Sequence, residues 1–391
     1  MSEKEESESN ESQSNSQKES EKESEKESQK ESQKESQKES KKESKKESKK
    51  ESKKVSETTS KKESKKENKE NKENKENKEN KDNSPAVYEN AAEKLKEAMK
   101  GFGTDEEALI LVVTSNKTQE RLKIKKAYEE KFKKNLIDDL KSELSGKFED
   151  AMVALFKDPV EYDCECVYNA MKGAGTDENC LIEVIASRPN WLLEKIKKKY
   201  NELYKKELVD DIKSDTSGDF QKILEGILRC QRSESKEVDK EKCAKMANDL
   251  NNIKDKGWEV QDESNIFYQY IIKSSPKELS SVAREYYKLS GKTITDGIDN
   301  NFKGDAKELL KSILYSLVSP SEYFATRVNK AIKNFGTKDH LLIRVLITRD
   351  EIDMPTIKQY YKQLYGKDMI EEIKDDIHGE YQNLMVELCS H

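Results

Sequence analysis

The stretch Met99-Lys100-Gly101-Phe102-Gly103-Thr104 sets two glycines around one residue, just ahead of an acidic and then apolar run. Glycine reaches positive φ without steric cost, so such a loop can turn successive carbonyls toward one point. Carbonyl oxygens are hard ligands that suit Ca2+, but a dication also needs negative charge. A carboxylate, Glu143, stands downstream of Gly101. The pairing recurs at an identical separation: Asp215 follows Gly173 and Asp376 follows Asn334 by the same interval as Glu143 follows Gly101. A single copy could be a helix-entry turn and an unrelated capping acid. Three copies at one separation point to a cation site. A phosphate-cradling loop fits poorly, because no GK[ST] follows and no strand precedes.

The elements that must bring loop and acid together read as helices. Over residues 104–113, Thr104 can cap, and Asp105, Glu106 and Glu107 suit a first turn. Leu109, Ile110, Val112 and Val113 then form an apolar face. Residues 118–132 repeat the arrangement, with Thr118 as cap and Ile124, Ala127, Tyr128 and Phe132 at helical spacing. Shorter apolar pieces follow at 136–140 and 148–156. Pro159, Pro189, Pro276, Pro320 and Pro355 sit at junctions. No strand-like alternation of useful length appears, so the fold class is all-α.

These elements belong to an internal repeat. MKGFGTDEEALI at 99–110 returns as MKGAGTDENCLI at 171–182 and, altered, as IKNFGTKDHLLI at 332–343. The acid-bearing half, DDLKSELSGKFEDAMVAL at 138–155, returns at 210–227 and 371–388. A more divergent copy runs from about 243 to 318. The expected divisions are 85–158, 159–230, 243–318 and 319–391, with a polar connector at 231–242.

Residues 1–84 are of another kind. Met1 and Val55 are their strongly apolar side chains, and they hold no aromatic and no glycine. Such a segment cannot bury enough surface to offset backbone entropy, so a disordered tail is expected. It repeats ESQK, ESKK and then KEN, a polyampholyte in which each Ser of the ESQK units precedes a Glu by three residues. That spacing suits both a capping box and an acid-directed kinase. Its lysines and acids balance, so the overall charge of −6 belongs to the remainder. An acidic body argues against a nucleic-acid partner.

No apolar run approaches the roughly 20 residues of a membrane span, and MSEKEESE offers no apolar signal region. The six cysteines, Cys164, Cys166, Cys180, Cys230, Cys243 and Cys389, follow no disulfide-scaffold spacing, which implies a cytosolic chain with reduced thiols. A CxC pair at Cys164 and Cys166 without a nearby His reads as structural. No nucleophile–base pair is evident, so no enzymatic activity is expected.

KGxGTDE followed at that fixed separation by Glu or Asp, in a four-copy chain, resembles the annexin family over everything after about residue 85. The resemblance implies four five-helix repeats packed into a slightly curved disc. It also implies a ligand set. The first site would use the carbonyls of Met99, Gly101 and Gly103 with bidentate Glu143. The second would use Met171, Gly173 and Gly175 with Asp215. An accessory site would use the Thr104 carbonyl and Glu106. In the fourth repeat Asn334 replaces the first glycine and Lys338 replaces the acid after Thr337, so Ile332, Asn334, Gly336 and Asp376 would bind more weakly. The third repeat reads DKGWEVQDES where the turn should run and has Asn301 at the acid position, which puts that site in doubt.

One carboxylate per site implies modest Ca2+ affinity in water, with the coordination shell completed by an anionic phospholipid headgroup. Phe102, Phe335 and Trp258, with Lys100 and Lys172 beside the first two turns, are the candidate membrane contacts. The expectation is a cytoplasmic protein that binds the inner face of membranes peripherally when Ca2+ rises. The rival reading is a scaffold whose tail contacts cytoskeletal partners or further copies of the chain.

Overall fold

A computed structural model of the chain describes residues 84–101, 103–253, 265–333 and 336–390. The tail lies outside this range, as do Phe102, Trp258, Asn334 and Phe335 among the candidate contacts. The described residues form twenty α-helices and no strand, in four successive sets of five. The first set is α1 (Pro85–Ala98), α2 (Glu106–Thr114), α3 (Thr118–Phe132), α4 (Leu136–Glu143) and α5 (Gly146–Leu155). The second is α6 (Pro159–Ala170), α7 (Glu178–Ser187), α8 (Asn190–Tyr204), α9 (Leu208–Asp215) and α10 (Gly218–Leu228). Then come α11 (Lys240–Asn251), α12 (Ile266–Ile272), α13 (Pro276–Ser290), α14 (Ile294–Asn301) and α15 (Gly304–Val318). The last is α16 (Pro320–Ile332), α17 (Asp339–Arg349), α18 (Met354–Tyr365), α19 (Met369–Asp376) and α20 (Gly379–Ser390).

The prolines act as the sequence implies. Pro159, Pro276 and Pro320 open α6, α13 and α16, where a missing N–H costs nothing. Two caps differ from the sequence reading. Asp105, not Thr104, caps α2, its carboxylate accepting from the Ala108 N–H at 3.0 Å. Thr118 is the first residue of α3 rather than its cap, and its hydroxyl donates to the Glu351 carboxylate at 2.7 Å. The segment read as connector also ends early. Asp239 accepts from the Lys242 N–H and starts α11 at Lys240.

The four sets share two cores, one of chain neighbours and one of the chain's first and last sets. One continuous apolar core joins the first set to the fourth, running from Leu95 and Leu109 through Phe324, Leu342 and Leu384. A second core joins the second set to the third, including Ile185, Leu224, Phe267 and Leu309. Two helices are buried almost all round, which places them centrally. In α7 every residue from Cys180 to Ala186 is buried, and in α17 every residue from Leu341 to Leu346. Each carries one charge into that interior. Glu183 of α7 and Arg344 of α17 meet in a bidentate pair, both bonds 3.0 Å, linking the second set to the fourth. Burial pushes the Glu183 carboxyl up, yet Arg344, Arg327 and Arg188 outweigh it and hold the group below the usual carboxylate range.

A close helix approach fixes one glycine in the second core. A Cβ on Gly226 of α10 would meet the Tyr268 ring of α12 at 2.6 Å. Gly226→Ala therefore overpacks a buried site, and a loss of about 1–3 kcal/mol in urea unfolding is expected. An unchanged midpoint would mean that the Tyr268 ring has room to swing aside.

Candidate metal-binding loops

Each candidate loop joins the first helix of a set to the second. At 99–105 the chain leaves α1 in a tight turn, with the Lys100 N–H donating to the Glu97 carbonyl at 3.0 Å. Gly101 and Gly103 then take φ of 107° and 95°. The loop closes when the Asp105 N–H donates to the Ala98 carbonyl at 2.9 Å. At 171–177 the same path recurs. Gly173 and Gly175 have φ of 105° and 94°, and the Asp177 N–H reaches the Ala170 carbonyl at 2.8 Å. A Cβ on any of these four glycines would meet nothing within 4 Å, so positive φ, not lack of room, is what requires glycine. The fourth loop keeps the closure, Lys338 N–H to Ala331 carbonyl at 2.9 Å, with Gly336 at φ 87°. It loses the acidic cap, since Lys338 cannot accept a hydrogen bond.

The loops are anchored from below and open above. Met99 and Ile332 are buried and Met171 is partly buried, while Lys100, Gly101, Gly103, Lys172, Gly173, Gly175 and Gly336 are exposed. Among the described residues no backbone N–H donates to the carbonyls of Met99, Gly101, Gly103, Met171, Gly173 or Gly175. Those oxygens remain available as ligands. Lys172 extends over the Tyr168 ring, 6.0 Å from its centroid, and Tyr168 stacks on Tyr204 at 3.9 Å.

The acids arrive from one recurring position, the last residue of the fourth helix in each set. Glu143 ends α4, Asp215 ends α9 and Asp376 ends α19. A carboxylate there faces the negative end of the helix dipole, an unfavourable placement worth about 0.3–1 kcal/mol, which a bound cation would reverse. Two of the acids are tied to their loops. The Thr176 hydroxyl donates to Asp215 Oδ2 at 2.6 Å, and the Thr337 hydroxyl donates to Asp376 Oδ2 at 2.7 Å, each across 39 residues. Sequence reasoning assigned no such role to these threonines, although Thr precedes its acid by the same separation in every GT copy. Glu143, one methylene longer, stays exposed. In the third set Asn301 turns back on its own helix, donating to the Gly297 carbonyl at 2.8 Å, and the loop that should face it lies outside the described residues.

The residues present fit a hard cation. Among the described residues no three His, Cys, Asp or Glu side chains gather where they could hold a metal. A cation at these loops would draw on main-chain oxygens plus one carboxylate, a donor set that suits Ca2+ rather than Zn2+. The first loop also borders a groove of about 980 Å3. Glu97, Asp105, Glu106 and Glu107 line it from one side, and Glu380 and Glu387 of α20 from the other, with Lys100 as its basic residue. Thr104 and Glu106, the accessory pair, stand together on its wall. In the CxC pair the Cys164 thiol donates to the Ile196 carbonyl, while the Cys166 carbonyl accepts from the Cys180 thiol.

Thr176→Val tests how the second acid is held. It should weaken Ca2+ binding there by about tenfold, as loss of a ligand-orienting bond commonly does, without loss of helicity. Calorimetry on a chain whose first loop carries Glu143→Gln would isolate the effect. Unchanged affinity would show that the helix end alone positions Asp215.

The family model "Annexin" matches residues 90–155, 162–227 and 323–388. These stretches fall on the first, second and fourth sets, the three that keep a glycine loop and an acid. The chain belongs to the annexin family. It is 39% identical to human annexin A4 over 298 residues, covering 76% of this chain and 93% of that one. Among solved structures it is similar to annexin III, with TM-score 0.74 and 35% identity over 79% of this chain and 95% of that chain. It is also similar to a calcium-bound annexin (Sm)1, with TM-score 0.70 and 28% identity over 78% and 90% of the two chains. Human annexin A11 is 38% identical, and this chain spans 59% of its length.

Proposed function

We propose that this annexin binds anionic phospholipid surfaces reversibly and only when Ca2+ is present. The observation that carries the reading is the pair of loops at 99–105 and 171–177, whose matching glycines take nearly the same φ, 107° and 105°, then 95° and 94°, with an acid at the same helix end in each set. Met99, Gly101, Gly103 and Glu143 would hold one ion, and Met171, Gly173, Gly175 and Asp215 a second. The fourth loop, through Ile332, Asn334, Gly336 and Asp376, and the Thr104–Glu106 pair are weaker candidates. Bound Ca2+ supplies a Lewis-acidic positive centre that can accept a phosphate or carboxylate oxygen from a lipid headgroup.

The chain's own part would be to leave the loop carbonyls free of main-chain donors and to supply one carboxylate from the helix end. With a single carboxylate per loop the protein keeps Ca2+ affinity modest in water. Lys100 and Lys172 flank the loops and can meet lipid phosphates directly. Among the described residues no helix is long and apolar enough to cross a membrane, which fits attachment from one side. An acidic chain that needs a dication to meet an acidic leaflet suits the cytoplasmic face, where anionic lipids concentrate. The repeats, on this reading, are 85–158, 159–230, 243–318 and 319–391.

Sedimentation with phosphatidylserine vesicles tests this. The chain should pellet with vesicles in millimolar Ca2+ and return to the supernatant when a chelator is added. Equal pelleting with and without Ca2+, or none in either, would overturn it.

A further inference from the structure

Two thiols away from the loop carbonyls face one another across α6 and α7. Cys166 lies on α6 and Cys180 in the first turn of α7. The Cys180 thiol donates to the Cys166 carbonyl at 3.5 Å. They open on a polar cavity of about 460 Å3, lined also by Glu165, Asp177, His340 and Arg344. Cys166 is partly exposed there, whereas Cys180 is covered.

The surroundings treat the pair unequally. The hydrogen bond with Cys180, helped by the Arg344 guanidinium, holds the Cys166 thiol below the ordinary cysteine value against the pull of burial. The same bond, with burial, pushes Cys180 well above it. Cys166 is the partly exposed thiol of the two and Cys180 the covered one. Attack and resolution by a dithiol need this division. The other cysteines lack it. Cys164 is buried and pushed up to about 12, Cys389 likewise, and burial raises Cys230. Cys243 is buried, with its thiol directed at the Glu278 carbonyl.

We propose that Cys166 and Cys180 form a peroxide-reactive dithiol that closes to a disulfide. The Cys166 sulfur attacks one oxygen of hydrogen peroxide and the O–O bond breaks. The departing oxygen takes a proton and leaves as water, and Cys166 becomes a sulfenic acid. The Cys180 sulfur then attacks the Cys166 sulfur, the S–O bond breaks, and the hydroxide leaves as water with the Cys180 proton. Two thiols lose two electrons and two protons, and one peroxide yields two waters. The bridge ties α6 to the first turn of α7, the elements that enter and leave the loop at 171–177.

The test is to treat the reduced, full-length chain with equimolar hydrogen peroxide, alkylate, digest and map it by mass spectrometry. The expected product is about 2 Da lighter, carries a Cys166–Cys180 linked peptide and reverts with dithiothreitol. Cys180→Ser should stop the reaction at a Cys166 sulfenic acid that dimedone traps, and Cys164→Ser should change nothing. The wild-type peptide map decides the matter even if a variant folds poorly. A bridge through Cys164, or oxidation of other cysteines while this pair stays reduced, would overturn the proposal.

Discussion

Glu143→Gln together with Asp215→Asn should raise the Ca2+ needed for half-maximal vesicle binding by about tenfold or more, with no change in helicity. Each substitution keeps the side chain's shape and removes the single charge of its loop. A neutral amide can still offer one oxygen, but it cannot offset the desolvation of a dication as a carboxylate does. Tenfold corresponds to about 1.4 kcal/mol, a small part of what a charged ligand contributes, so the figure is a floor. Both acids end a helix and neither is buried, so the fold should not feel the change. An unchanged calcium midpoint would move the binding elsewhere in the chain.

Arg344→Met should lower the melting temperature by roughly 10 °C. Glu183 has no measurable exposure and Arg344 only 4%, so removing the guanidinium strands a carboxylate in the interior. Breaking a buried pair from one side costs about 3–5 kcal/mol, and each kcal/mol moves the midpoint of a domain this size by about 2–4 °C. Arg327, whose guanidinium lies 4.0 Å from Glu183, limits the loss. Glu183→Leu combined with Arg344→Met should recover much of the stability, because an apolar pair leaves no stranded charge. A single variant as stable as the parent would mean that Arg327 alone satisfies Glu183.

The loops and acids were legible in the sequence because repetition exposed them. A glycine held at positive φ is costly to replace, and an acid at a fixed separation stands out once three copies are aligned. The pairing of the sets was not legible. All four carry similar apolar stripes, and nothing in a stripe says whether it will meet its chain neighbour or a partner three sets away. Glu183 left a trace, a charge inside LIEVIAS, yet its partner lies 161 residues on and has no local signal. The cap of α2 was misread because Thr104 and Asp105 both suit the position. The structure separates them: Asp105 accepts from the Ala108 N–H, while the matching Thr176 and Thr337 give their hydroxyls to the acids. Cys164 and Cys166 stand two residues apart on α6, about 200° round the helix, so they meet different neighbours. Asn301 was legible as a lost charge, and its bond to Gly297 shows where the amide went instead.

The most direct measurement is a crystal structure grown in millimolar Ca2+ with a soluble short-chain phosphatidylserine. An ion is expected at each of the first two loops, bound by the carbonyls of Met99, Gly101 and Gly103 with Glu143 and by those of Met171, Gly173 and Gly175 with Asp215. A lipid oxygen should complete at least one shell, and no ion should sit beside Asn301. Loops without ions at that concentration, or ions held only by surface carboxylates elsewhere, would contradict it.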